Sequence, residues 1–208
     1  MVKKDFSQIV APWEAAHFVG GHIALDLANT VFHRKKSLAD NELLKSVSDI
    51  SSWCQSVGLI SPVNAHQLNN CAGDEFVQAV QRVREQVWTL FHAISNGEAP
   101  SSKALGNLLR IAGLGSSAEI ISFTDAELKE LAGNFADPEA IPAALAMFAI
   151  EAFFTLPKAR VKACPRCGWL FIDTSKGGRR RWCSMSTCGN LEKAARYRHT
   201  EPDAQEKA

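Results

Sequence analysis

Apolar residues recur most regularly between Asp74 and Ser95. Phe76, Val77, Val80, Val83, Val87, Leu90, Phe91 and Ile94 fall three and four apart, and Gln81, Arg82, Arg84 and Glu85 lie mainly off their face. That spacing is one face of an α-helix and predicts a helix over 74–95. The most apolar stretch, "AIPAALAMFAIEAFFTL" from Ala140 to Leu156, is 17 residues with Pro142 and Glu151 inside it. A membrane span needs about 20 mostly apolar residues, so this stretch reads as a buried helix, opened by Asp137-Pro138 and closed before Pro157.

Shorter elements follow from local signals. Ile23, Leu27 and Val31 recur at four-residue steps, which favours a helix, while the alternation of Ile23, Leu25 and Leu27 keeps a strand open. Asp49 is a candidate cap for a helix through "ISSWCQSVGLI", with Gly58 as its stop. Ser61-Pro62 is an N-cap followed by proline at the first helical position. A further short helix fits "SSKALGNLLRIAG", and "GLGSS" at Gly113 reads as a turn, since it lacks the lysine and the preceding strand of a phosphate loop. "AEIISF" is the best strand, and Thr124 and Glu127 have capping-box spacing after it. The fold class expected is α+β: a mainly helical body with a small sheet over 1–157, a compact module over 158–199, and a disordered acidic tail over 200–208.

Charge supports that division. Met1 to Pro157 holds 11 Lys+Arg against 17 Asp+Glu, whereas Lys158 to His199 holds 11 against 2. An acidic body carrying a basic module implies two jobs, the basic one facing a polyanion. With no secretory pattern at its start and no spanning segment, the chain is expected to be cytoplasmic, where thiols stay reduced.

No catalytic constellation emerges, so the chain does not read as an enzyme. There is no Gly-x-Ser-x-Gly elbow and no His-Glu-x-x-His. Asp26 and Asn29, polar within an apolar stretch, and Arg34 nearby are candidates for a small-molecule effector site, or else for a buried polar network or cap. His17, His22 and His33 lack metal-ligand spacing and read as structural or surface groups. Cys54 and Cys71 read as small core residues.

The chemistry concentrates in "CPRCGWLFIDTSKGGRRRWCSMSTCGN", Cys164 to Asn190, where four of the six cysteines stand as Cys-x2-Cys-x15-Cys-x4-Cys. Two cysteines three apart can turn both sulfurs onto one ion, and a returning pair completes a tetrahedron that suits Zn2+. Iron accepts the same ligands, and a disulfide framework is the remaining alternative. Four thiolates close the shell, so Cys164, Cys167, Cys183 and Cys188 point to a structural zinc site. "WLFIDT" reads as a strand, "SKGG" as a turn, "RRRWCS" as the returning strand, and "CGNLEKAARYRHT" as a helix: the order of a treble-clef finger. Lys176, Arg179, Arg180 and Arg181 on the hairpin, with Lys193, Arg196 and Arg198 on the helix, are candidate phosphate contacts. Their alternative roles are to offset the charge of the thiolate centre or to pack on the acidic body.

"CGWLFIDTS…RRRWCSMSTCGN" resembles the CGNR zinc-finger proteins, bacterial proteins assigned to transcription regulation. "LDLANTVFHR" followed by "VSDISSWCQSVGLI" is similar to the start of the ABATE domain that precedes that finger. The resemblance spans about Gly20 to His199. It implies an α+β body, a treble-clef finger with those four cysteines as zinc ligands, and DNA as partner. The arginine of the family motif is replaced here by Leu191. One finger buries little surface on a duplex, so a homodimer is a further expectation.

Overall fold

The computed structural model describes residues 13–117, 121–123 and 131–200. In chain order the elements are α1 (Ile23–Ala28), α2 (Val47–Ser56), α3 (Pro62–Cys71), α4 (Asp74–Ser95), α5 (Ser102–Ser117), β1 (Ile121–Phe123), β2 (Leu131–Gly133), α6 (Ala140–Thr155), β3 (Val161–Ala163), β4 (Leu170–Ile172) and α7 (Asn190–Thr200). The strands form two antiparallel pairs, β1 with β2 and β3 with β4. The α+β class holds. The capping-box reading at Thr124 and Glu127 and the tail beyond Thr200 lie outside the described residues.

α4 runs over the residues its periodicity predicts, and Asp74 and Glu75 complement the positive end of its dipole. It buries Phe76, Val77, Val80, Val83, Val87, Leu90 and Phe91. Arg84 is buried with them, although the apolar pattern sets it off that face. α6 is apolar nearly all round because α5, α4 and α1 cover most of it, with Phe154 left exposed. Pro142 lies in its first turn, where no intrahelical partner for an N–H is needed. Among the described residues no helix is long and apolar enough to cross a membrane.

Three local readings are corrected. α2 is capped by Ser46, not Asp49: the Ser46 Oγ accepts the Asp49 N–H at 3.1 Å, and the Asp49 carboxylate accepts the Ser46 N–H at 2.9 Å. This is a capping box one turn earlier than expected. "GLGSS" is the last turn of α5, not a loop, because packing against α6 outweighs the roughly 1 kcal/mol that each glycine costs a helix. Cys54 is buried as expected, but Cys71 is exposed. Ser61 caps α3 as read, with Pro62 at its first position.

Candidate metal centre and nucleic-acid interface

β3 and β4 are joined by a tight knuckle. Val161 pairs with Ile172, Lys162 with Phe171 and Ala163 with Leu170. Cys164 and Cys167 stand in the connection, where the Cys164 N–H donates to Trp169 O at 2.8 Å and the Gly168 N–H to Cys164 O at 2.9 Å. Gly168 has φ +80°, and a Cβ there would lie 2.7 Å from the Cβ of Arg34. Only glycine makes the turn and leaves room for the body to dock on it.

Cys183 follows an irregular loop, and Cys188 sits in a wide helical turn, Met185–Gly189, that leads into α7. The four sulfurs lie within 4.8 Å of one another, and all four residues are buried. Cys167 and Cys183 Sγ are 3.6 Å apart, as are Cys183 and Cys188. A disulfide needs about 2.05 Å, so these are free thiols. A tetrahedron of sulfurs about 2.3 Å from a central ion has an edge of about 3.8 Å, close to the spacing seen. Hydrogen bonds from Cys167, Cys183 and Cys188 hold the Cys164 thiol well below its usual range. The donor set fits one thiolate-loving metal ion. Trp169, Phe171, Val19 and Trp182 wrap it.

The knuckle-to-helix order is that of a treble clef, but "RRRWCS" forms no returning strand. β4 has no free edge for one. One edge carries β3; along the other, the Ile172 N–H donates to Gly20 O at 3.0 Å and Leu170 meets Asn29. The chain turns away instead at buried Asp173, whose carboxylate accepts the N–H groups of Ser175 and Arg180 at 2.9 and 3.0 Å. Hydrogen bonding to Ser175 and Arg180 holds that carboxyl below its ordinary range.

The candidate effector residues are all engaged, and each supports the knuckle's seat. Asp26 Oδ1 accepts the Gly20 N–H at 2.7 Å, and burial pushes its pKa up to about 6. Asn29 pairs with both backbone groups of Leu170. Arg34 Nη1 donates to both carboxylate oxygens of Glu85, its Nε and Nη2 to Ala28 O, and its guanidinium lies 5.0 Å from the ring centroid of Trp88. This arrangement is the buried polar network weighed as the alternative. Its other members escape the sequence: Arg84, 2% exposed, binds Glu42 with its two terminal nitrogens and Glu85 through Nε. Trp169 Nε1 donates to Val31 O at 2.7 Å, and the Arg34 N–H to Cys167 O at 2.8 Å. Of the three histidines, His22 caps α1 and bonds Glu151 at 2.8 Å.

Val161 and Leu170 belong to the main hydrophobic core together with α4 and α6, so packing runs without a break across residues 157 and 158.

The basic candidates separate. Lys176, Arg179 and Arg181 are exposed on the loop, and Lys193, Arg196 and Arg198 on α7. Arg196 lies 3.4 Å from Glu192, and Glu192 3.6 Å from Arg166. Arg180 turns inward: its Nε donates to Trp182 O at 3.0 Å, its Nη2 to Cys183 O, and its guanidinium stacks 4.5 Å from the Phe171 ring.

Comparison with known families decides what this arrangement belongs to. Residues 21–156 match the ABATE family, a putative stress-induced transcription regulator, and residues 160–200 match the CGNR zinc finger. The chain belongs to the ABATE family and carries a CGNR zinc finger. No curated protein matches it. The four cysteines that the structure gathers all lie within the span matched by the CGNR zinc finger. Leu191, in place of the motif arginine, is exposed in the first turn of α7.

Proposed function

We propose that this protein is a zinc-dependent DNA-binding transcription regulator. Zinc on Cys164, Cys167, Cys183 and Cys188 folds the finger, and the finger lays cations on the phosphate backbone of a duplex. The observation that carries this reading is the finger's charge asymmetry. From Lys158 to His199 its only carboxylates are Asp173 and Glu192, against 11 Lys+Arg. Asp173 is buried, so a single carboxylate is left toward solvent. Lys176, Arg179 and Arg181 on the loop and Lys193 and Arg198 on α7 are exposed. A basic helix on a metal-stiffened module suits a major groove, with the loop arginines holding the flanking backbone. The acidic body would supply effector sensing or dimerisation, transmitted through its grip on the knuckle.

Fluorescence anisotropy with a labelled duplex at several salt concentrations tests this. If those five cations reach phosphates, log K falls with log salt at a slope of about −4 to −5, since each neutralised phosphate releases about 0.9 counterion. A flat titration at low salt would leave the finger as a structural or protein-contact module.

A further inference from the structure

We infer that the phosphate-binding surface is composite: the body's His33–Lys36 turn and Arg166 of the knuckle form a second backbone-contact site beside α7. The inference rests on the DNA-binding reading above.

The turn is fastened to the finger. The Arg34 N–H donates to Cys167 O, and the Lys35 ammonium donates to Pro165 O. Gly168 lets the Arg34 Cβ come into contact, and the Lys36 N–H closes the turn on His33 O at 3.1 Å. Any motion that brings the knuckle to a duplex therefore brings Lys35 and Lys36 with it.

The charges of the two segments converge. Burial, and then Lys36, Arg166 and Lys35, hold the His33 imidazole below its usual pKa, so cations from body and knuckle act on one point. Lys35 and Lys36 are exposed, and Lys36 has no ion pair among the described residues. Lys35 gives one bond to Pro165 and keeps two donors. On its other side Arg166, about a third exposed, meets Glu192, which in turn meets Arg196. Through neighbouring Pro165 and Arg166 the knuckle thus joins the Lys35 contact to the first turn of α7. Exposed ammonium groups spread along a ridge suit a run of backbone phosphates rather than one enclosed anion. The body's overall acidity hides this, because the three consecutive cations Arg34, Lys35 and Lys36 are averaged with 17 carboxylates, and Arg34 is neutralised by Glu85.

The test uses full-length, zinc-loaded protein in the same anisotropy titration. Lys36→Ala is expected to weaken duplex binding at low salt and to make the slope shallower by about 0.9, and Lys36→Glu to weaken it further. Arg179→Ala serves as the loop control. If both Lys36 variants keep the parent's affinity and slope while Arg179→Ala does not, the composite surface is wrong and DNA binding by the finger stands. If the parent binds no duplex at all, both readings fall.

Discussion

The side-chain amide of Asn29 is paired with the whole peptide face of Leu170. Oδ1 accepts the Leu170 N–H at 2.7 Å, and Nδ2 donates to Leu170 O at 2.8 Å, both buried. One body side chain thereby takes the place of a neighbouring strand on the outer edge of β4. Asn29→Ala leaves two buried backbone groups without partners, each costing about 1–3 kcal/mol. Asn29→Asp keeps the shape but sets a carboxylate against Leu170 O. Urea denaturation should show both variants less stable by about 2–5 kcal/mol. Parent-like stability for Asn29→Ala would show that water replaces the amide.

Zinc content should follow the four clustered sulfurs alone. Elemental analysis of protein purified without chelator should give about one zinc per chain. Cys183→Ser should lose most of it, while Cys54→Ser and Cys71→Ser keep it, since Cys54 lies in the body core and Cys71 is exposed. Iron in place of zinc, or oxidised thiols, would overturn the zinc assignment.

Metal removal should reach beyond the finger. Val161 and Leu170 lie in the same core as α4 and α6, and the segment from Gly20 to Arg34 is hydrogen-bonded to the knuckle backbone. A structural zinc site supplies on the order of 10 kcal/mol of folding free energy. Stripping it should raise hydrogen exchange over 161–199 and also over 20–34, while α5, which packs on α4 and α6, stays protected. Exchange confined to residues after 157 would instead mark two independent units.

What the sequence discloses here is what is local. The α4 stripe, the Ser61 cap and the cysteine spacing are each set within a few residues and are legible without a fold. The engaged roles of Asn29 and Arg84 are not, because their partners are 141 and 42 residues away. Arg84 interrupts no periodicity; it is buried because Glu42 and Glu85 neutralise it there. The returning strand fails for a related reason. "RRRWCS" carries a strand-like pattern, but the β4 edge it needs is taken by Gly20 and Asn29, on either side of α1. Even the finger's boundary shifts in meaning, since the family changes near residue 157 while the core does not.

Asp26 should make stability fall as pH rises. Burial raises its folded pKa to about 6, from an ordinary value of 3.8, with the Gly20 N–H opposing the shift. Between those values the unfolded chain loses the proton and the folded chain keeps it, so the stabilisation present below pH 4 is lost as pH rises through 6. Two units correspond to about 3 kcal/mol. Asp26→Asn keeps an oxygen for Gly20 and cannot ionise. It should match the parent near pH 4 and exceed its stability at pH 8 by roughly 2–3 kcal/mol, measured by denaturation at both pH values. A difference that does not change with pH would rule out the carboxyl as its source.

Arg180 and Arg181 are neighbours with opposite tasks. The Arg180 guanidinium stacks on Phe171 and closes on the carbonyls of Trp182 and Cys183, one of the four clustered cysteines. Arg181 is exposed, 5.5 Å from the Trp182 ring centroid. Arg180→Ala should therefore destabilise the finger by about 2–3 kcal/mol, leaving carbonyls without their charged donor, and should speed zinc release to a chelator. Arg180→Lys should rescue little, because one ammonium cannot replace a planar fork that stacks and bridges. Arg181→Ala should leave zinc release unchanged and make the salt slope of duplex binding shallower by about 0.9. Measuring chelator-driven release and the salt slope on the same two variants separates folding from anchoring. If Arg180→Ala releases zinc at the parent's rate and loses only duplex affinity, its inward bonds do not hold the metal site together, and it belongs with the phosphate contacts after all.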